Sequence, residues 1–193
     1  DNMEEVEIKF LNIDIPTMEE KLLSVGAEKV GEYFYRRRHF DYADESLDKK
    51  GEWIRVRDEG DKITMAHKKL LAYDKDIKVA RDVIIEESEI EVSDFDTASN
   101  ILYATGLIEK NYQENKRIRY KKGEVVYDID TWPKIPTYLE IEGPTLGLVE
   151  DAALELGLDK ADSVRYTAWQ IYQDFGIELH DFRVVTFDEW IKK

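Results

Sequence analysis

The sequence predicts an α+β fold: an antiparallel sheet of about eight strands, closed or nearly closed into a barrel, with helices packed outside it. Two observations predict it. Segments that alternate charged and apolar residues recur along the chain, some presenting acids and others bases on the charged face. Between and after them lie stretches with apolar residues at helical spacing, which can cover the apolar faces. The 193 residues are read as one domain, 1–193.

The first strand is Glu5-Val6-Glu7-Ile8-Lys9-Phe10, with Val6, Ile8 and Phe10 on one face and Glu5, Glu7 and Lys9 on the other. Asp14-Ile15-Pro16-Thr17 then starts a helix carrying Met18, Leu22, Leu23 and Val25, closed at Gly26. From 29 to 42 the pattern is that of a strand. Within it Arg36 and Arg38 share a face opposite Arg37, so only part of the arginine run can line one pocket, and solvated edge charge is the plainer reading for the rest. A turn at 48–52 leads to Trp53-Ile54-Arg55-Val56-Arg57, a strand whose charged face is basic. Glu59-Gly60-Asp61 makes a hairpin into 62–68, where Thr64, Ala66 and Lys68 share a side.

Residues 69–78 read as a polar loop, and 81–92 as a strand with acids on one side, among them Glu89 and Glu91. Ser93-Asp94 caps a helix with Phe95, Ala98, Ile101 and Leu102, ending near Gly106. Strands follow with Asn115, Arg117 and Arg119 in phase, then Asp128 and Asp130 in phase. A two-proline bend at 132–136 separates them from Tyr138-Leu139-Glu140-Ile141-Glu142. Helices are expected at 146–156 and 161–175, a short strand at 180–186 and a helical turn at 187–193.

Composition narrows the function. A net charge of −15 argues against a general nucleic-acid binder, which needs a basic surface, but not against a basic pocket. No apolar run approaches membrane-spanning length, so no membrane partner is expected. The absence of cysteine excludes disulfides and thiolate ligands, and with no secretory leader in view a cytoplasmic setting is expected. His39, His67 and His180 lack zinc-ligand spacing, and no Walker-type glycine loop or glycine-flanked serine is present.

The in-phase charges can be a solvated sheet face, held by cross-strand pairs worth up to about 1 kcal/mol each. They can instead line the interior of a barrel. The second arrangement gives Val6, Ile8, Ile54, Val56, Ile90, Val92, Leu139 and Ile141 the helical cover they need. Enclosed charges then require compensation, because a desolvated ion is costly unless paired. Carboxylates suit hard cations, and guanidinium and ammonium groups suit phosphates, which together describe a metal-bound polyphosphate.

The ordered set Glu5-Val6-Glu7-Ile8-Lys9, Trp53-Ile54-Arg55-Val56-Arg57, Lys116-Arg117-Ile118-Arg119-Tyr120, Asp128-Ile129-Asp130-Thr131-Trp132-Pro133 and Tyr138-Leu139-Glu140-Ile141-Glu142-Gly143 resembles the CYTH domain, the family of class IV adenylyl cyclase and thiamine triphosphatase, also called triphosphate tunnel metalloenzymes. The resemblance implies an eight-stranded antiparallel tunnel that binds a triphosphate with Mg2+ or Mn2+. It implies metal ligation by Glu5, Glu7, Glu140 and Glu142, supported by Asp130, with Glu89 and Glu91 as further metal or orienting carboxylates. Lys9, Arg55, Arg57, Lys68, Arg117 and Arg119 take the role of substrate ligands, and Glu7, Lys9 and Arg57 that of catalytic residues. The expected activity is hydrolysis of a triphosphate: tripolyphosphate, thiamine triphosphate or a nucleoside triphosphate. Cyclisation of ATP to cyclic AMP and pyrophosphate is the alternative, and a non-catalytic receptor a further one. The expected partner is a small-molecule triphosphate, and a homodimer is compatible with the resemblance. Two places depart from the family pattern. Thr64 is followed by Met65 and Ala66, with Lys68 one strand period late, and the tail reads Asp162-Ser163-Val164-Arg165-Tyr166, where Arg165 is either a surface helix arginine or a base at the tunnel mouth.

Overall fold

A computed structural model describes residues 6–70, 85–165 and 167–193. Among them the strands are β1 (Val6–Leu11), β2 (Glu28–Asp41), β3 (Glu52–Asp58), β4 (Ile63–Leu70), β5 (Ile85–Val92), β6 (Ile108–Lys122), β7 (Val125–Thr131), β8 (Tyr138–Gly143), β9 (Phe182–Val185) and β10 (Trp190–Lys192). The helices are α1 (Ile15–Ser24), α2 (Phe95–Ala104), α3 (Leu146–Glu155) and α4 (Ala168–Asp174). The α+β class is as the sequence predicts. The sheet has the order β1-β8-β7-β6-β2-β3-β4-β5, with β9 running parallel to β6 and β10 antiparallel to β9. Among the described residues it has ten strands rather than eight and is not closed into a barrel. One physical reason is visible at β1, whose outer edge is taken by a neighbouring segment: Lys9 N–H donates to Val164 C=O at 2.8 Å, and Val164 N–H donates to Lys9 C=O at 2.9 Å.

The chain divides into two compact units, one of Asp1–Tyr33 with Lys116–Thr167, the other of Phe34–Asn115 with Ala168–Lys193. In the first, β1, β8, β7 and the end of β6 turn Ile8, Phe10, Ile129, Leu139 and Ile141 toward Met18 and Leu22 of α1 and Val149 and Ala153 of α3. Full burial of such side chains contributes about 1.5–3 kcal/mol each, so this layer fixes the sheet with its charged face turned away from the helices. Asp14 caps α1 by accepting from the Thr17 N–H at 3.1 Å, and Gly26 ends it at φ +82°, a conformation few other residues adopt without strain.

In the second unit, Phe40 and Val56 pack with Phe95, Ala98 and Leu102 of α2. Asp94 caps α2, accepting from the Thr97 N–H at 2.7 Å. Arg36 and Arg38 lie on this helix-covered side, their guanidinium carbons 4.6 and 4.4 Å from the Phe95 ring centre. That leaves Arg37 on the opposite face.

Two C-terminal expectations are corrected. Residues 161–175 are not one helix: a 3-10 turn at Lys160–Asp162 capped by Asp159 gives way to extended backbone at Ser163, and the helix begins only at Ala168. The Val164 backbone is committed to Lys9, which a helix would forbid, so Arg165 is not a helix residue. The segment 187–193 holds strand β10, not a helical turn, with Trp190 packed edge-on to Phe182 at 4.9 Å. The predicted loop 69–78, from 71 onward, and the first part of the strand at 81–92 lie outside the described residues. No described helix is long and apolar enough to cross a membrane.

Candidate functional site

Strand register sets the site residues of the first unit. Lys9 stands opposite Glu140, Glu140 opposite Asp128 and Asp128 opposite Arg119, so one row crosses β1, β8, β7 and β6. In flanking rows Glu7 faces Glu142, and Asp130 faces Arg117. Five carboxylates therefore share a face with three cations, leaving it acidic.

The cations are heavily engaged. Lys9, almost fully buried, pairs with Glu7 and with Glu140 at 3.1 Å. Arg117 donates Nε and Nη2 to the two oxygens of Asp130 at 2.7 and 2.5 Å, and its Nη1 lies 2.7 Å from Asp128. Arg119 grips Asp128 in the same two-point manner at 2.8 and 2.7 Å. Burial alone would lower the Lys9 pKa, but the Glu140 and Glu7 carboxylates outweigh it and hold the ammonium protonated far into the basic range. Burial likewise pushes Glu140 up, and Lys9 and Arg117 overcome it to keep this carboxylate ionised well below its ordinary range. Glu7 shifts the other way: the Glu140 charge, then burial, raise its pKa. Oxygens of Glu7, Glu140 and Glu142 come within 4.8 Å of one another. Three clustered carboxylates, one resisting ionisation because of another, form a donor set that a hard divalent cation fits.

The second unit carries a basic face. Arg37 of β2 stands opposite Arg57 of β3, which stands opposite Thr64 of β4 and, beyond it, Glu91 of β5. The next row is His39, Arg55, Ala66 and Glu89, and Lys68 faces Glu87. Arg55 donates to Glu87 and Glu89 at 3.1 and 3.0 Å, and Lys68 lies 3.1 Å from Glu87. Glu59, a buried residue of the β3–β4 turn, accepts from Arg57 Nε at 2.8 Å and pairs with its Nη2 at 2.5 Å. Burial, then the charge of Arg57, pull the Arg55 pKa down to about 10, and burial with Arg55 lowers Lys68. His39 is held neutral, its pKa lowered to about 3 by burial and by Arg37, Arg55 and Lys68, while its Nδ1 lies 2.7 Å from Asn111 Oδ1. Arg55 Nε and Thr64 Oγ1 are buried with no hydrogen-bond partner among the described residues.

Of the sequence-predicted residues, Glu7, Lys9, Arg117, Arg119, Asp130, Glu140 and Glu142 fall on the acidic face, and Arg55, Arg57, Lys68, Glu89 and Glu91 on the basic one. Glu5 lies outside the described residues. Sequence reasoning passed over Arg37, His39, Glu59 and Asn115. The alternation of Arg37 against Arg36 and Arg38 was the available signal, but which face of β2 meets the helix is decided by Phe95, far along the chain.

Comparison with known proteins bears on the whole arrangement. A protein of Vibrio parahaemolyticus provisionally assigned as an adenylate cyclase superposes with a TM-score of 0.72 at 14% identity, over 90% of this chain and 99% of that one. The PH1012 protein of Pyrococcus horikoshii OT3 gives 0.69 at 22% identity, over 86% and 98%. HpAC1 of Hippeastrum, assigned as an adenylyl cyclase but with a dominant triphosphatase activity, gives 0.62 at 16% identity, over 89% and 95%. At these identities the likeness is one of fold. Among curated proteins none matches the chain. The CYTH domain matches residues 3–167, most of the sequence and every charged strand described above, and the chain therefore belongs to the CYTH domain family.

Proposed function

We propose that the protein is a metal-dependent triphosphatase that hydrolyses the phosphoanhydride bond of a triphosphate, releasing orthophosphate and the shortened chain. The observation that carries this is the division of charge between two sheet faces, carboxylates clustered on one and, on the other, basic side chains beside Arg55 Nε and Thr64 Oγ1, which are buried without partners among the described residues. A triphosphate with its counterion carries the two kinds of charge that these faces call for. Glu7, Glu140 and Glu142 would hold Mg2+ or Mn2+, which when bound neutralises phosphate charge and polarises a water. Arg55, Arg57 and Lys68 bind phosphoryl oxygens. Lys9 stays protonated next to Glu7 and Glu140, so it stabilises charge on the departing phosphate oxygen and does not act as a base. Arg117 and Arg119 hold Asp130 and Asp128 in place beside the metal-binding carboxylates.

The test is product analysis. Purified protein with Mg2+ or Mn2+ is given tripolyphosphate or ATP and the products are separated by chromatography. Orthophosphate is the expected product. Cyclic AMP with pyrophosphate would replace the hydrolase by a cyclase, and metal-dependent binding without turnover would make the protein a receptor.

A further inference from the structure

We propose that Arg37, Arg57 and Thr64 form a single phosphoryl-binding row, in which Arg37 contacts substrate directly. The proposal rests on reading the basic face as an anion site and adds to it a residue from a strand that contributes no other cation to that face. The three side chains are in register on adjacent strands and project from the same side of the sheet.

Several observations converge there. Like charges directly opposite on antiparallel strands oppose folding, yet Arg37 and Arg57 are so placed. Both guanidinium groups also share one aromatic platform, their central carbons 6.0 and 5.4 Å from the ring centre of buried Tyr35. Each is aimed by a separate acceptor. Glu59 orients Arg57, whereas Arg37 donates to the side-chain oxygen of Asn115, a fully buried residue. The Asn115 amide carries no charge of its own, so this contact orients the Arg37 guanidinium toward the row without neutralising it. The independent pointer is Thr64: its hydroxyl is buried, only 2% of the residue is exposed, and it has no partner among the described residues. A buried hydroxyl left unsatisfied costs stability that a bound acceptor would restore. Two fixed cations and one waiting donor complement the oxygens of a tetrahedral phosphoryl group.

The experiment titrates the full chain, with Mg2+, against bis(phosphonomethyl)phosphinate, the methylene-bridged analogue of tripolyphosphate, by calorimetry. Arg37→Gln, which can still donate to Asn115, Arg37→Lys and Thr64→Val are compared with the wild type, and each is melted with and without the analogue. Arg37→Gln should weaken binding about tenfold or more and Thr64→Val several-fold, with Arg37→Lys between Arg37→Gln and wild type. Without the analogue both Arg37→Gln and Thr64→Val should melt at or above the wild-type temperature, since one relieves a like-charge pair and the other an unsatisfied hydroxyl. Wild-type affinity in both variants overturns the row. So does a lower melting temperature without the analogue combined with an unchanged analogue-induced rise, which is the mark of a structural role. If Arg37→Gln fails to fold, Thr64→Val decides by the same criteria. Absence of binding to the wild type would instead overturn the anion-site reading itself.

Discussion

The acidic face of the first unit and the basic face of the second solve the problem of charge on a sheet in different ways. On the acidic face each arginine is clasped by carboxylates at two points, and Lys9 lies between two glutamates. The excess there is negative, and the carboxylates of Glu7, Glu140 and Glu142 on β1 and β8 come together. On the basic face the cations stand side by side, Arg37 against Arg57 and Arg55 beside it, with a guanidinium nitrogen and a threonine hydroxyl left without partners among the described residues. The difference teaches what each face lacks. The first is internally braced and calls for a cation, whereas the second gathers its cations side by side, oriented by Glu59, the β5 glutamates and Asn115, and calls for an anion.

Removing the brace of the acidic face should have the largest effect. Arg117→Met takes two charged donors from buried Asp130 and one from buried Asp128, at a cost of about 3–5 kcal/mol in chemical denaturation. A loss under about 1 kcal/mol would mean that the face is far wetter than the burial of Asp128 and Asp130 implies. The counterpart on the basic face is Arg57→Ala. Lys62 remains 4.0 Å from Glu59 and a like-charge pair is removed, so the chain should stay folded by circular dichroism while triphosphate turnover falls about 100-fold or more. Glu7→Gln should do the same from the acidic side. Wild-type turnover in both variants would break the division of labour between the faces.

The pH response separates the faces further. In the folded chain Glu7 titrates above its ordinary value of 4.5, chiefly because Glu140 is charged beside it. Its protonated form is thus favoured by folding: the contribution to stability is present below 4.5 and is lost as pH rises through the raised value. Glu140 has the opposite sign, since its folded value is depressed; its contribution is present above 4.5 and is lost as pH falls through that depressed value. A divalent cation needs Glu7 ionised, so the rise in melting temperature on adding Mg2+ should be full near pH 8 and shrink as pH falls through the raised Glu7 value. An equal rise at pH 8 and at pH 4.5, the ordinary value that folded Glu7 exceeds, would remove Glu7 from the metal-binding set.

Much of this was legible in the sequence because strand alternation is local. Glu7 and Lys9, Arg55 and Arg57, Glu140 and Glu142 fall in phase by counting, and their apolar neighbours needed helices that Asp14 and Asp94 start. What was hidden depends on partners distant in the chain. Whether Arg37 or Arg36 and Arg38 face the site depends on where α2 docks, and the acceptor that orients Arg37 is Asn115, on β6. The helix expected at 161–175 failed for a similar reason: its apolar spacing is genuine, but the backbone at Val164 is claimed by β1, more than a hundred residues earlier. The barrel expectation shared that blind spot, because periodicity shows which face of a strand is charged and not which edges pair.

The smallest effect should come from Arg36, next to Arg37 in sequence but on the other side of the sheet. Its side chain is 41% exposed and pairs with Asp58 at 3.0 Å, so water and salt screen most of the attraction. The stack on Phe95 adds a modest cation–π contribution. Arg36→Met retains much of the packing against that ring and should cost about 1 kcal/mol or less, a melting shift of a few degrees. Binding of the methylene-bridged analogue should be unchanged within error. A loss of affinity comparable to that expected for Arg37→Gln would mean that the run of arginines acts as a diffuse positive field, and the contrast between the two sides of β2 would not hold.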